Sequence, residues 1–197
     1  MTRDAGDVSR SIYVGPWRVD LVRRAGVKLP TPGSTLAHHV SRALEASGAP
    51  APGSVTLVLT DDTELGELNA EHMAIDGPTD VLSFPMLPPE AFRRGDGTKA
   101  RRATGGGSGD GDAGPHGDVA RRTHVGDIAI SVERAVEQAT DGRGGQTGDV
   151  RWSPADELRL LVTHGTLHLC GWDHANPAEE AAMRARERHL RGVDVPA

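Results

Sequence analysis

The sequence predicts a single α+β domain over residues 1–197, with a small mixed sheet, about five helices and a metal site on a buried central helix. Two observations predict this fold. Segments with strand-like alternation are interleaved with segments that carry helix caps and helical spacing. One run near the carboxyl end is apolar on most sides, as expected of a central helix. The length suits one domain with some additional loop.

The first part of the chain is predicted to alternate between strand and helix. Residues 19–22 form a short strand, and Ser34 caps a helix that ends at Gly48. Residues 54–60 alternate apolar and polar side chains, which is typical of a half-buried strand. A short helix over 64–72 follows it, and a breaker sequence at 76–78 returns the chain into a strand over 81–84.

The second part of the chain completes the predicted fold. Residues 126–131 form another strand, followed by a helix that ends near Ala139. Ser153 and Pro154 are a strong helix start, and the helix that they open is apolar on most sides. A last helix is predicted over 176–190. We expect the helix that begins at Ser153 and Pro154 to be central and buried.

Three histidines near the carboxyl end have a spacing that suits one metal ion. His164 and His168 are four residues apart, so on a helix their side chains project from one face. Gly171 can then turn the chain and bring His174 round as a third ligand. Three imidazole ligands leave the fourth position of a tetrahedral zinc site open for water, as in catalytic zinc sites. The motif predicts a hydrolase that depends on one zinc ion.

Two other functions remain open for these histidines. Metzincin proteases have the same spacing but carry a glutamate base directly after the first histidine, and here that position is Gly165. The second alternative is a non-catalytic protein with structural zinc, for which Cys170 would be the fourth ligand. Two residues after His168 on a helix, however, Cys170 should point away from the metal.

Gly165 is an unfavourable residue for the interior of the predicted helix. Glycine inside a helix costs about 1 kcal/mol relative to alanine. Either tight packing of the helix on the sheet or a close approach of substrate beside the metal would explain why no side chain is present.

Three further residues are candidates for catalysis beside the metal. Asp173 lies in the turn between the histidines, and we expect it to accept the second ring N–H of a ligand histidine. Asp80 and Ser83 interrupt a strand-like run, where each would contact substrate or cap the turn. Five of the other histidines are predicted to be solvated, and these are His38, His39, His116, His124 and His189.

Residues 93–122 are predicted to be a disordered insert. The segment is rich in glycine, has almost nothing to bury, and so cannot offset the entropy of ordering it. It has seven basic and four acidic residues, a net charge of +3 in a chain whose net charge is −6. A negative chain does not suit a protein that coats nucleic acid, but the arginines of this insert can contact phosphates.

The composition also predicts where the protein acts. A single cysteine excludes an internal disulfide. The amino terminus does not resemble a signal sequence, and no apolar run reaches the length of a membrane span. We therefore expect a cytoplasmic protein with no membrane role.

Two motifs together resemble the YbeY family of endoribonucleases, the ribosomal RNA maturation factors. Residues 164–174 match the family's His-Gly-x-Leu-His-Leu-x-Gly-Tyr-Asp-His motif, with Trp172 in place of tyrosine. Residues 68–69, 76–85 and 126–131 resemble the family's second signature and its Gly-Asp-Ile strand. The resemblance covers about residues 54–190 apart from the insert.

This resemblance implies a specific function. It implies a compact α+β domain, one zinc ion on the three histidines, and cleavage of single-stranded RNA in ribosomal RNA maturation and ribosome quality control. Ribosomal subunit proteins are then expected partners, and a non-catalytic zinc-containing ribosome-assembly factor is the alternative. Trp172 is expected to pack in the core, although an unpaired base could stack on it.

One departure from the family pattern affects RNA binding. Many members have an arginine, implicated in RNA handling, where this chain has Met73. A methionine cannot pair with a phosphate, so the role would fall to another residue such as Arg134 or an arginine of the insert.

Overall fold

The structure is a computed structural model that describes residues 6–92, 122–140 and 152–192. Its five strands form one mixed sheet in the order β1-β2-β3-β5-β4. The strands are β1 (Val8–Val14), β2 (Trp17–Arg23), β3 (Gly53–Thr60), β4 (Val81–Pro85) and β5 (Thr123–Ser131). The helices are α1 (Gly33–Ala46), α2 (Asp62–Met73), α3 (Val132–Thr140), α4 (Pro154–Leu169) and α5 (Pro177–Arg191), with a short 3-10 turn at Pro89–Ala91. The predicted α+β fold is confirmed.

The sheet is parallel at its centre and antiparallel at both edges. β2, β3 and β5 run parallel, whereas β1 pairs antiparallel with β2 and β4 pairs antiparallel with β5. β1 was not predicted from the sequence. Its side chains are mostly exposed, so it lacks the apolar alternation that marks the inner strands.

The predicted insert, residues 93–122, lies outside the described residues except for Arg122. Arg122 donates from Nη1 to the backbone oxygen of Pro16 at 2.6 Å. Its guanidinium carbon lies 5.4 Å from the ring centroid of Tyr13. Arg122 therefore contacts the turn between β1 and β2.

Helix α4 is central, as predicted. The Ser153 hydroxyl accepts from the backbone N–H of Asp156, and the Asp156 carboxylate accepts from that of Ser153, so the expected capping interaction is present. The helix contacts α1, α3, α5, β4 and β5. Its buried side chains include Leu158, Leu161 and Leu169. This packing gives the histidines of α4 a rigid support.

The helices divide between the two faces of the sheet. The main core lies on one face, where α1 and α4 pack on apolar side chains of β2, β3 and β5. The other face has a smaller core of Leu65, Leu82 and Ala129, with Leu65 contributed by α2. Among the helices that the structure describes, none has the length and apolar character needed to cross a bilayer.

Candidate metal centre

His164, His168 and His174 lie together at the carboxyl end of α4 and in the turn that follows it. One ring nitrogen of each lies within 4.8 Å of those of the other two. The Nε2 atoms of His164 and His168 are 3.1 Å apart, and the ring centroids of His168 and His174 are 5.1 Å apart. Two nitrogens bound to one tetrahedral zinc ion at roughly 2.0–2.1 Å would be about 3.3 Å apart. The three imidazoles therefore fit one shared ion with little rearrangement.

The turn at Gly171 brings His174 to the other two histidines. Gly171 has a φ of +74°, in the left-handed region that favours glycine. Its backbone N–H donates to the backbone oxygen of His168 at 2.9 Å. A β-carbon built at this position would lie 2.9 Å from Cβ of Pro89. Both the backbone conformation and the close packing therefore require glycine here.

His168 is held in the form that can bind a metal. Burial, followed by the nearby charges of His164 and His174, lowers the pKa of His168 from 6.5 to about 4. The imidazole is therefore neutral near pH 7, and a neutral imidazole is the ligand form.

Glu187 of α5 contacts His164, and no pattern in the sequence predicted this contact. Its Oε1 lies 2.7 Å from Nδ1 of His164, and the residue is only 8% exposed. No short spacing connects it to the histidines in the sequence, since it lies on a separate helix among exposed charged residues. A buried acid in a charge-rich helix shows only once the packing of α5 is known.

Comparison with known proteins identifies the family. The family described as Endoribonuclease YbeY matches residues 27–192, most of the chain. The chain belongs to the YbeY family.

Several curated relatives carry the name Endoribonuclease YbeY. The protein from Symbiobacterium thermophilum is 37% identical over 157 residues, covering 78% of this chain and 81% of the relative. The protein from Moorella thermoacetica is 37% identical over 163 residues, covering 82% and 86%. The solution structure of TM1509 from Thermotoga maritima is 20% identical, covers 90% of each chain and gives a TM-score of 0.45.

Met73, which departs from the YbeY pattern, lies on the surface. Met73 is the last residue of α2 and is 46% exposed, so it is not a core side chain. Arg134, the suggested substitute for the family's arginine, donates from Nη2 to Oδ2 of Asp62 at 2.7 Å. In this conformation its guanidinium connects α3 to α2.

Ser83 and Gly165 form the contact between β4 and α4. The Ser83 hydroxyl donates to the backbone oxygen of Gly165 at 3.0 Å. A β-carbon on Gly165 would lie 2.9 Å from Cγ2 of Ile128, 3.0 Å from Cγ2 of Val81 and 3.2 Å from the Ser83 hydroxyl. Close packing of the helix on the sheet therefore accounts for the glycine. In this conformation the Ser83 hydroxyl joins β4 to α4.

Asp80 and Asp173 both make contacts with the backbone. Asp80 accepts from the backbone N–H of Val81 at 3.0 Å and from Nε2 of Gln138 at 3.2 Å, at the start of β4. Asp173 accepts from the backbone N–H of His174 at 2.7 Å. The acid that lies beside a ring nitrogen of His164 is Glu187, at 2.7 Å from Nδ1.

Cys170 and Trp172 lie on the core side of the turn. Cys170 is fully buried in the main core, and burial raises the pKa of its thiol to about 12. The group of potential metal ligands consists of His164, His168 and His174 and does not include Cys170, as the position of Cys170 relative to His168 predicted. Trp172 is partly buried and packs against two core clusters, which agrees with the expected packing role.

Two of the histidines predicted to be solvated are instead hydrogen-bonded and partly buried. Nε2 of His124 lies 2.9 Å from Oδ1 of Asp127, and its Nδ1 lies 3.3 Å from the Ser54 hydroxyl. Nδ1 of His39 lies 3.5 Å from the Thr163 hydroxyl. Both predictions were wrong because neighbouring strands and helices supply partners that the local sequence does not show. His38 and His189 are exposed, as expected, and His116 lies outside the described residues.

Proposed function

We propose that the protein is a zinc-dependent endoribonuclease that cleaves single-stranded RNA in ribosomal RNA maturation and ribosome quality control. The proposal rests on one observation above all: a three-histidine cluster with metal-site geometry lies in a chain of the YbeY family. Ribosomal RNA and ribosomal subunit proteins are the proposed partners, and the cytoplasm is the proposed compartment.

The three histidines would hold the ion and leave one position for chemistry. When bound, zinc supplies a Lewis acid and lowers the pKa of water at its open position. His164 and His168 are half-buried on the rigid helix, whereas His174 is exposed. The exposed side of the cluster gives an RNA backbone a route to the metal.

Neither alternative is supported by the residues that the structure describes. The metzincin glutamate position is Gly165, which faces β4 and β5 at distances too short for a larger side chain. A closed structural zinc site usually has a fourth protein ligand, often sulfur, and the only cysteine of the chain is buried in the core. These observations favour the nuclease over a metallopeptidase and over a non-catalytic zinc-containing assembly factor.

A paired cleavage assay tests the function. We expect the zinc-loaded protein to cut a single-stranded RNA, to leave casein intact, and to lose RNA cleavage when a chelator removes the metal. Readdition of zinc should restore cleavage. Casein hydrolysis would support the peptidase, and RNA cleavage that persists in chelator would contradict a metal-dependent mechanism.

Met73→Arg tests the missing arginine. Because Met73 is exposed, arginine should fit without loss of folding and should tighten RNA binding through a charge-assisted phosphate contact. Each added phosphate contact to a single strand makes the dependence of affinity on salt steeper by about 0.7 unit of log–log slope. Titrations of RNA binding at several salt concentrations measure both effects.

Val8→Arg is the matched control for this substitution. Val8 is exposed to a similar degree but lies on β1, at the opposite edge of the sheet from β4. If both variants tighten RNA binding equally, the effect is one of total charge, and position 73 has no special role.

A further inference from the structure

Glu187 lies behind His164, on the side of the imidazole ring away from His168. Its Oε1 is 2.7 Å from Nδ1 of His164, whereas Nε2 of the same ring is 3.1 Å from Nε2 of His168. The side chains of Glu187 and His164 are 10% and 26% exposed. The contact is therefore largely shielded from water, unlike the exposed ion pairs that contribute little.

Helix α5 is anchored directly beside Glu187. Arg186 donates from Nη2 to the backbone oxygen of Ala46 in α1 at 2.7 Å. Its guanidinium carbon also lies 5.3 Å from the ring centroid of Trp172. The apolar cluster under the helix consists of Ala43, Leu167, Met183 and Leu190. These contacts fix α5, the helix that carries Glu187, against α1, α4 and the turn that follows α4.

The hydrogen bond selects one tautomer of His164. A carboxylate accepts hydrogen bonds and has none to donate, so the ring proton of a neutral His164 lies on Nδ1. Nε2 then carries the free lone pair, and it is this nitrogen that faces His168.

We propose that Glu187 is a positioning residue of the metal centre, which presents Nε2 of His164 to the metal and thereby raises metal affinity. This inference rests on the proposed function, because it requires the three histidines to hold a metal ion. It assigns to α5 a part in metal binding that the histidine motif does not contain.

Zinc affinity, measured by competition with a chromophoric chelator in the absence of RNA, tests the inference. We expect Glu187→Ala to weaken zinc binding by about 10- to 100-fold, the usual cost of losing such a partner. Glu187→Gln should weaken it less, because its amide oxygen can still accept from Nδ1–H. Glu180→Gln removes the same charge from an exposed ion pair with Arg184 on α5, and it should leave zinc affinity unchanged.

The tautomer of His164 gives a second readout that packing alone would not change. In the metal-free protein, nitrogen-detected NMR of the histidine rings should show the Nδ1–H form of His164 in the wild type. Glu187→Ala should lose this single form, and Glu187→Gln should retain it.

The outcomes separate this inference from the proposed function. If the wild type binds no zinc, the proposed function fails and the inference fails with it. If the wild type binds zinc and both Glu187 variants bind it equally well, only the inference is overturned. A lower melting temperature of the metal-free variants with unchanged zinc affinity would likewise overturn it, since Glu187 would then be purely structural. If Glu187→Ala does not fold, the inference is tested on Glu187→Gln alone. Unchanged zinc affinity in this variant, or loss of the Nδ1–H form of His164, would then overturn it.

Discussion

Replacing His168 by alanine should abolish bound zinc and RNA cleavage together. His168 lies between the other two histidines in the chain, and its Nε2 is 3.1 Å from that of His164. Two remaining imidazoles make a much weaker site than three. The variant should also lose the stabilisation that the metal supplies, about 2.7 kcal/mol when free zinc is 100 times the dissociation constant. Metal analysis, a nuclease assay and melting curves with and without zinc measure the three effects.

His38→Ala is the control for this variant. His38 is exposed on α1 and bonds within its own helix, to the backbone oxygen of Ser34 at 2.8 Å. Its removal should change neither zinc content nor cleavage. A His168→Ala protein that kept stoichiometric zinc, or kept full activity in chelator, would show that the three-histidine centre is wrong.

Replacing Gly165 by alanine should destabilise the protein even though alanine is the better helix former. Alanine gains about 1 kcal/mol in helix propensity, but its β-carbon would lie 2.9–3.0 Å from the methyl groups of Ile128 and Val81. Both neighbours are β-branched and stiff, and overpacking of this kind costs about 1–3 kcal/mol. We expect a net loss of up to about 2 kcal/mol, or a melting temperature lower by up to about 8 °C. RNA cleavage should fall as well, because any shift of α4 from β4 moves His164.

Gly66→Ala is a matched control on another helix. A β-carbon on Gly66 of α2 would come no closer than 3.7 Å to the backbone of Pro78, which is an ordinary contact. This variant should therefore be as stable as the wild type or up to about 1 kcal/mol more stable. If Gly165→Ala stabilised the protein as well, the close packing of α4 on the sheet would be contradicted.

The elements with local signals were predictable from the sequence. Ser153 and Pro154 mark the start of α4, and the apolar alternation of residues 54–60 marks β3. The histidine cluster was also predictable, because the helical repeat and one turn glycine are enough to bring three side chains together.

The features that were missed depend on contacts between distant segments. β1 is defined by its pairing with β2, and its exposed side chains leave little pattern in the sequence. Glu187 reaches His164 only through the docking of α5, and His124 finds Ser54 only through the register of β3 and β5. Such contacts follow from tertiary packing, which sequence periodicity does not record.

The buried thiol of Cys170 can report how often the core around α4 opens. It is the only cysteine of the chain, it is fully enclosed, and burial raises its pKa to about 12. Since the thiolate is the reactive form, an alkylating reagent can modify the folded chain only when the core around α4 transiently opens. The rate of labelling therefore measures how often this core opens, without any added dye or engineered cysteine. The change in labelling rate when zinc is added would show how strongly metal binding suppresses opening of this core.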